Sequence, residues 1–109
     1  MGAPPVPLAP AEGERRACVI ANSAYTHGSL LGPLKNPAND GRAMAATLRG
    51  MGFVVTLLLD VGIDAFAKAA REFRDSLREK DVALFYFAGH GLELDGTNWL
   101  LSIDQLLDI

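Results

Sequence analysis

The chain has 109 residues, half of them hydrophobic and 21% charged, with a formal net charge of −3 and a pI near 5.2. One globular domain is the expectation, and a disordered chain is excluded. No run of Lys or Arg is long enough for a basic stripe, so nucleic acid is not an expected partner; the longest apolar runs, at 54–59 and 82–88, fall far short of the roughly 20 residues a membrane span needs.

Residues 1–14 are rich in Pro and Ala and read as a flexible leader, with the folded domain at 15–109. The leader has no basic start and no long apolar core, so it does not read as a signal peptide. A short, partly β-branched apolar run at 16–22 predicts a buried strand. Gly28, Gly32-Pro33 and Pro37 punctuate 23–38, predicting a long loop of the kind that carries function. Asn39 or Asp40 then caps a helix to about Gly50, with Met44, Leu48 and Met51 at helical spacing. Residues 53–59 predict a second buried strand. Asp64 caps a second helix whose apolar stripe is Phe66, Ala70, Phe73 and Leu77. Residues 81–88 form the third and most apolar strand. Beyond Gly89-His90-Gly91, segments 92–94 and 99–102 flank Asp95-Gly96, a hairpin turn signal.

Apolar strands alternating with amphipathic helices argue an α/β fold, a mostly parallel sheet with helices on both faces. Ligands bind such sheets beyond the carboxyl ends of the strands. Three scattered segments fall there: Asn22-Ser23, the loop into Asn39-Asp40, and Gly89-His90-Gly91.

His90 lies between two glycines after the most apolar strand. An imidazole carries protons at neutral pH, and the unhindered amide of Gly91 suits a developing oxyanion. A histidine that only completes a hydrogen bond at a strand end is the other reading of the same residues. Cys18 lies inside the first strand and reads as a buried structural thiol. As the single cysteine it builds no disulfide frame and no Cys-rich zinc site, which fits a reducing compartment such as the cytoplasm. Asn22 and Ser23 either shape the turn or support the site. His27 reads as solvated, Asp60 and Asp64 as a turn and a cap, Asp95 and Asp104 as turn and loop residues, and Trp99 as hairpin packing. No metal or cofactor is expected, and Gly89-His90-Gly91 lacks the third glycine and following helix of a nucleotide fingerprint.

Five segments in order carry a resemblance: Arg-Ala-Cys-Val-Ile-Ala-Asn-Ser-Ala-Tyr at 16–25, Leu-Lys-Asn-Pro-Ala-Asn-Asp at 34–40, Leu-Arg-Gly-Met-Gly-Phe at 48–53, Leu-Phe-Tyr-Phe-Ala-Gly-His-Gly at 84–91, and Asn-Trp-Leu-Leu-Ser-Ile-Asp at 98–104. Together they resemble the caspase-like cysteine peptidases, the bacterial and metacaspase-type members above all. The resemblance covers residues 15–104. It implies a three-layer, flavodoxin-like sandwich and a cysteine thiolate that attacks a peptide or protein substrate. It further implies that His90 serves the proton transfers and that Gly91 is among the oxyanion-binding amides. The resemblance places Asp40 in the pocket for the residue before the cleaved bond, pairing with Arg or Lys. The same carboxylate also suits a helix N-terminus. The family more often has Ala after that Asp, where this chain has Gly41. The family nucleophile follows the histidine by about 50 residues, so a Cys-bearing segment or subunit is the implied partner. The sheet is expected to be incomplete at the C-terminus and the chain inactive alone. The alternative is a non-catalytic caspase-fold module in a signalling or defence assembly. A flavodoxin-like small-molecule domain would share the sheet but not the five segments.

Overall fold

The computed structural model describes residues 13–25 and 34–104. The leader through residue 12, and His27, Gly28, Gly32 and Pro33 of the long loop, lie outside the described residues. In chain order the elements are β1 (Arg15–Ala21), α1 (Pro37–Gly50), β2 (Phe53–Leu59), α2 (Ile63–Ser76), β3 (Val82–Ala88), β4 (Gly91–Leu94) and β5 (Thr97–Leu100). The first three strands form a parallel sheet ordered β2-β1-β3, and β4 pairs with β5 as an antiparallel hairpin. Ala21 stands opposite both Leu59 and Ala88, so the three strands end flush. Every residue that leaves the sheet there leaves at one edge.

The strand period of two divides the core. Ala17 and Val19 cluster with Leu48 of α1 and with Phe53, while Cys18 and Ile20 pack with Phe66, Ala69 and Phe73 of α2. The helices therefore cover opposite faces, and the architecture is α/β in three layers. Fully burying Val19 and Ile20 contributes about 1.5–3 kcal/mol each. The inward stripe of α2 uses Ala69 and not Ala70, and Leu77 falls past the helix as its extended C-cap.

The third strand is an edge of the described sheet. It is strongly apolar, yet among the described residues it pairs only with β1, and Val82 and Phe85 are each 41% exposed. Burial follows the number of neighbours a strand has, and an edge position leaves apolar side chains uncovered. The Phe85 ring still meets Phe66 and Phe73 of α2, with centroids 6.5 and 6.4 Å apart.

Both expected helix caps differ. Helix α1 starts earlier, with Asn36 as N-cap and Pro37 at the first turn. Proline has no N–H to satisfy and a φ suited to that position. Asn36 makes no side-chain cap bond; the N–H of Ala38 donates instead to Oγ of Ser23 at 3.0 Å. In α2 the N-cap is Gly62, and Asp64 does not cap. The N–H of Ile63 donates to Oδ1 of Asp104 at 3.0 Å, which also accepts the Ser102 hydroxyl at 2.8 Å. The Asp-Gly turn is as expected: Asp95 and Gly96 take φ of 49° and 78°, the paired positive values a two-residue hairpin turn needs. Among the described residues no helix is long and apolar enough to cross a membrane.

At the opposite edge of the sheet, Asp81 fastens the start of the domain. Its Oδ1 accepts the Glu14 N–H at 2.9 Å, its Oδ2 accepts the Arg78 N–H at 2.8 Å, and Arg16 Nε lies 3.6 Å from Oδ2. The two backbone donors, with a smaller contribution from Arg16, hold the Asp81 carboxyl below the usual carboxylate range. A carboxylate with a lowered folded pKa stabilises the fold fully above its unfolded pKa, about 3.9. That stability disappears as the pH falls through the lower, folded value. The urea midpoint should therefore drop as pH is taken from 5 to below 3, and Asp81→Asn should flatten the drop. An unchanged pH slope in Asp81→Asn would show that other carboxylates control acid unfolding.

Candidate active site

The flush strand ends are joined by side chains from the loops that leave them. Asn22 follows β1 and is fully buried. Its N–H donates to the Ala88 carbonyl at 2.8 Å, joining the ends of β1 and β3. Its Oδ1 accepts the Val61 N–H at 2.9 Å, and its Nδ2 donates to the Leu101 carbonyl at 3.3 Å. One amide thus ties the exits of β1 and β2 to the residue that follows β5. Of the two roles open to Asn22 from sequence, the geometry is that of the turn-shaping one, with its buried polar atoms satisfied.

Asp60 follows β2 with φ 55°, a left-handed conformation that Asp tolerates better than most residues. Its N–H donates to the Ala21 carbonyl at 2.9 Å, and its Oδ1 accepts the N–H groups of Ser23 and Ala24 at 2.8 and 2.9 Å. The sequence reading of Asp60 as a turn residue holds, but the carboxylate does more than turn the chain. It sets the path of the loop after β1, and that path carries Tyr25 beneath His90.

Tyr25 is 5% exposed and packs with Leu101 and Leu34. Its hydroxyl donates to the Leu101 carbonyl at 2.8 Å and accepts the His90 N–H at 2.8 Å. Burial pushes the phenol above its ordinary pKa, against a smaller opposing effect of the bond from His90, so it stays protonated at neutral pH. The ring also meets the His90 imidazole edge-on, with centroids 4.5 Å apart and planes at 63°. Sequence reasoning gave Tyr25 no task beyond its place in the first matching segment. The available signal was its spacing, three residues beyond the Asn that follows β1.

His90 lies two residues past β3, half-buried, on the flush edge. Its peptide is held on both sides: the N–H by Tyr25, and the carbonyl by the Leu101 N–H at 3.1 Å. The two glycines beside it differ in kind. An added Cβ at Gly89 would lie 2.5 Å from the Tyr25 hydroxyl and 2.8 Å from the Phe87 ring, so the close approach requires glycine. At Gly91, the exposed first residue of β4, the nearest atom is the Trp99 carbonyl oxygen at 3.6 Å, an ordinary contact. Packing therefore makes no demand for glycine at 91.

Asp40 is exposed in the first turn of α1, and its N–H donates to the Asn36 carbonyl at 2.8 Å. The next residue explains the departure at that position. An added Cβ at Gly41 would lie 2.6 Å from Cβ of Ala21, the last residue of β1. Glycine lets α1 close directly onto the strand end, which brings the first turn, with Asp40, to the same sheet edge as His90. Cys18 is elsewhere, in the body of β1 and 1% exposed, with its thiol pKa pushed up by burial. A neutral, enclosed thiol is a poor nucleophile. Among the described residues no three His, Cys, Asp or Glu side chains gather as metal ligands would.

This arrangement puts an imidazole on a bonded peptide, the backbone of Gly91 beside it and a carboxylate at one edge of the sheet. Such a set suits proton transfer next to a carbonyl under attack. The fold leaves the chemistry undecided, and relatives narrow it. A family model described as "Caspase domain" matches residues 14–109. The mouse "Mucosa-associated lymphoid tissue lymphoma translocation protein 1 homolog" is 30% identical over 95 residues, which is 87% of this chain and 11% of that protein. The chain thus spans about a tenth of the length of this relative.

Proposed function

The chain belongs to the caspase-domain family, and from that premise we propose that it is the histidine-bearing portion of a cysteine-type endopeptidase that cleaves after Arg or Lys. The observation that supports this most is the mounting of His90: a half-buried imidazole at the carboxyl edge of a parallel sheet, its peptide bonded on both sides. A Cys-bearing segment or subunit supplies the thiolate, since Cys18 is enclosed in the core. The thiolate sulfur attacks the carbonyl carbon of the peptide. The Gly91 N–H is among the donors that receive the oxyanion. The His90 imidazolium gives its proton to the leaving amine as the C–N bond breaks, and water then hydrolyses the thioester.

Asp40 accounts for the preference for a basic side chain and for a metacaspase-type assignment within the family. It is an exposed carboxylate on the site edge, and Lys35 is the one Lys or Arg in residues 26–39. An enzyme built to hold an acidic side chain would want a cation there.

Peptides with Arg, Lys or Asp before the scissile bond test this in the polypeptide that carries the thiol segment. Cleavage after Arg and Lys is expected. Asp40→Asn should lower kcat/KM on the Arg peptide by about 10- to 100-fold, the equivalent of the roughly 1.5–3 kcal/mol that a hydrogen bond to a charged group contributes. Cleavage after Asp, or an Asp40→Asn enzyme with full activity on Arg peptides, would sink the specificity assignment.

A further inference from the structure

We propose that Tyr25 is the positioning residue of His90, a role that rests on the reading of His90 as the proton carrier. Where an imidazole stands depends on its Cα and on two side-chain torsions. Tyr25 constrains all of these with one side chain. Its hydroxyl accepts the N–H of His90, fixing the backbone, and its ring contacts the imidazole edge-on, restricting the torsions.

Three further observations make this a built arrangement. The phenol is 5% exposed, and its hydroxyl is also committed to the Leu101 carbonyl, so it has no route to turn toward water. Gly89 supplies the space the hydroxyl occupies, because a Cβ there would overlap it. Asp60 holds the N–H groups of Ser23 and Ala24, the two residues immediately before Tyr25. Three residues from three other loop segments, Leu101, Gly89 and Asp60, thus serve the placement of one phenol. A group that carries a proton between a sulfur and a leaving amine must be correct to within about 1 Å, and a misplacement of that size costs on the order of 10²-fold.

Tyr25→Phe is a narrow probe. It keeps the ring and removes one oxygen. The Leu101 carbonyl retains its bond from Asn22 Nδ2 at 3.3 Å, so the change falls chiefly on the His90 N–H. In the 109-residue chain, amide hydrogen exchange at His90 is expected to be slow, and to quicken by about 2- to 10-fold in Tyr25→Phe, the counterpart of one neutral hydrogen bond. Exchange at Val19 and Ile20 in the centre of the sheet should not change. In the polypeptide that carries the thiol segment, Tyr25→Phe should lower kcat by about 10- to 100-fold with KM within about twofold, and shift the limb of the pH profile that His90 controls. Tyr25→Leu, which removes ring and hydroxyl together, should cost more.

Fast exchange at His90 in the unmodified chain would overturn the assignment without any variant having to fold. So would a Tyr25→Phe enzyme with unaltered kcat and pH profile while His90→Ala is inactive; that pair of results would leave the peptidase reading intact. A His90→Ala enzyme with full activity would instead overturn the reading of the site and the Tyr25 role with it.

Discussion

Replacing His90 by alanine is expected to lower kcat/KM on an Arg peptide by about 10²- to 10⁴-fold in the polypeptide that carries the thiol segment, the range of a positioned general acid–base. The structure makes this substitution informative because chemistry and folding separate at residue 90. The bonds that hold the position are made by the peptide, its N–H to Tyr25 and its carbonyl from Leu101, and both survive the loss of the imidazole. One loss to the fold is the edge-on contact with the Tyr25 ring, worth about 0.5–1.5 kcal/mol. Initial rates and urea unfolding on the same preparation measure the two effects side by side. A variant that keeps more than a tenth of the activity would remove His90 from the mechanism.

Asn22→Ala should give the largest loss of stability, about 3 kcal/mol in urea unfolding. The buried Val61 N–H loses its acceptor, which costs about 1–3 kcal/mol, and a small cavity adds to this. The Leu101 carbonyl keeps the Tyr25 hydroxyl, so the damage concentrates where β2 passes into α2. A loss below about 1 kcal/mol would mean that the surrounding loops collapse onto the gap.

These two residues also mark where the sequence is readable. The strands, the helices and the hairpin follow from local patterns: apolar runs for β1, β2 and β3, helical spacing in α1 and α2, and Asp95-Gly96 for the turn. His90 stands out because glycines flank it at the end of an apolar strand. The caps do not follow from local pattern. The acceptors at the two helix starts, Ser23 and Asp104, lie 15 and 41 residues from the N–H groups they serve. A local rule pointed instead to Asn39, Asp40 and Asp64. Asn22 and Tyr25 are opaque for the same reason. An Asn after a strand looks like any turn residue, and its burial depends on Val61 and Leu101 arriving from elsewhere. The apolar side chains exposed on β3 lie at the edge of the described sheet, in line with the incomplete sheet expected from the sequence.

The central position of β1 has a consequence for how the protein is made. Among the described strands it is made before both of its neighbours, β2 and β3. Until β3 emerges, β1 lacks one of the two strands it pairs with. The bond between Tyr25 and His90 spans 65 residues, and that between Tyr25 and Leu101 spans 76. Contacts of such long range form late. A nascent chain therefore holds His90 in this setting only once β3 and residue 101 have been made.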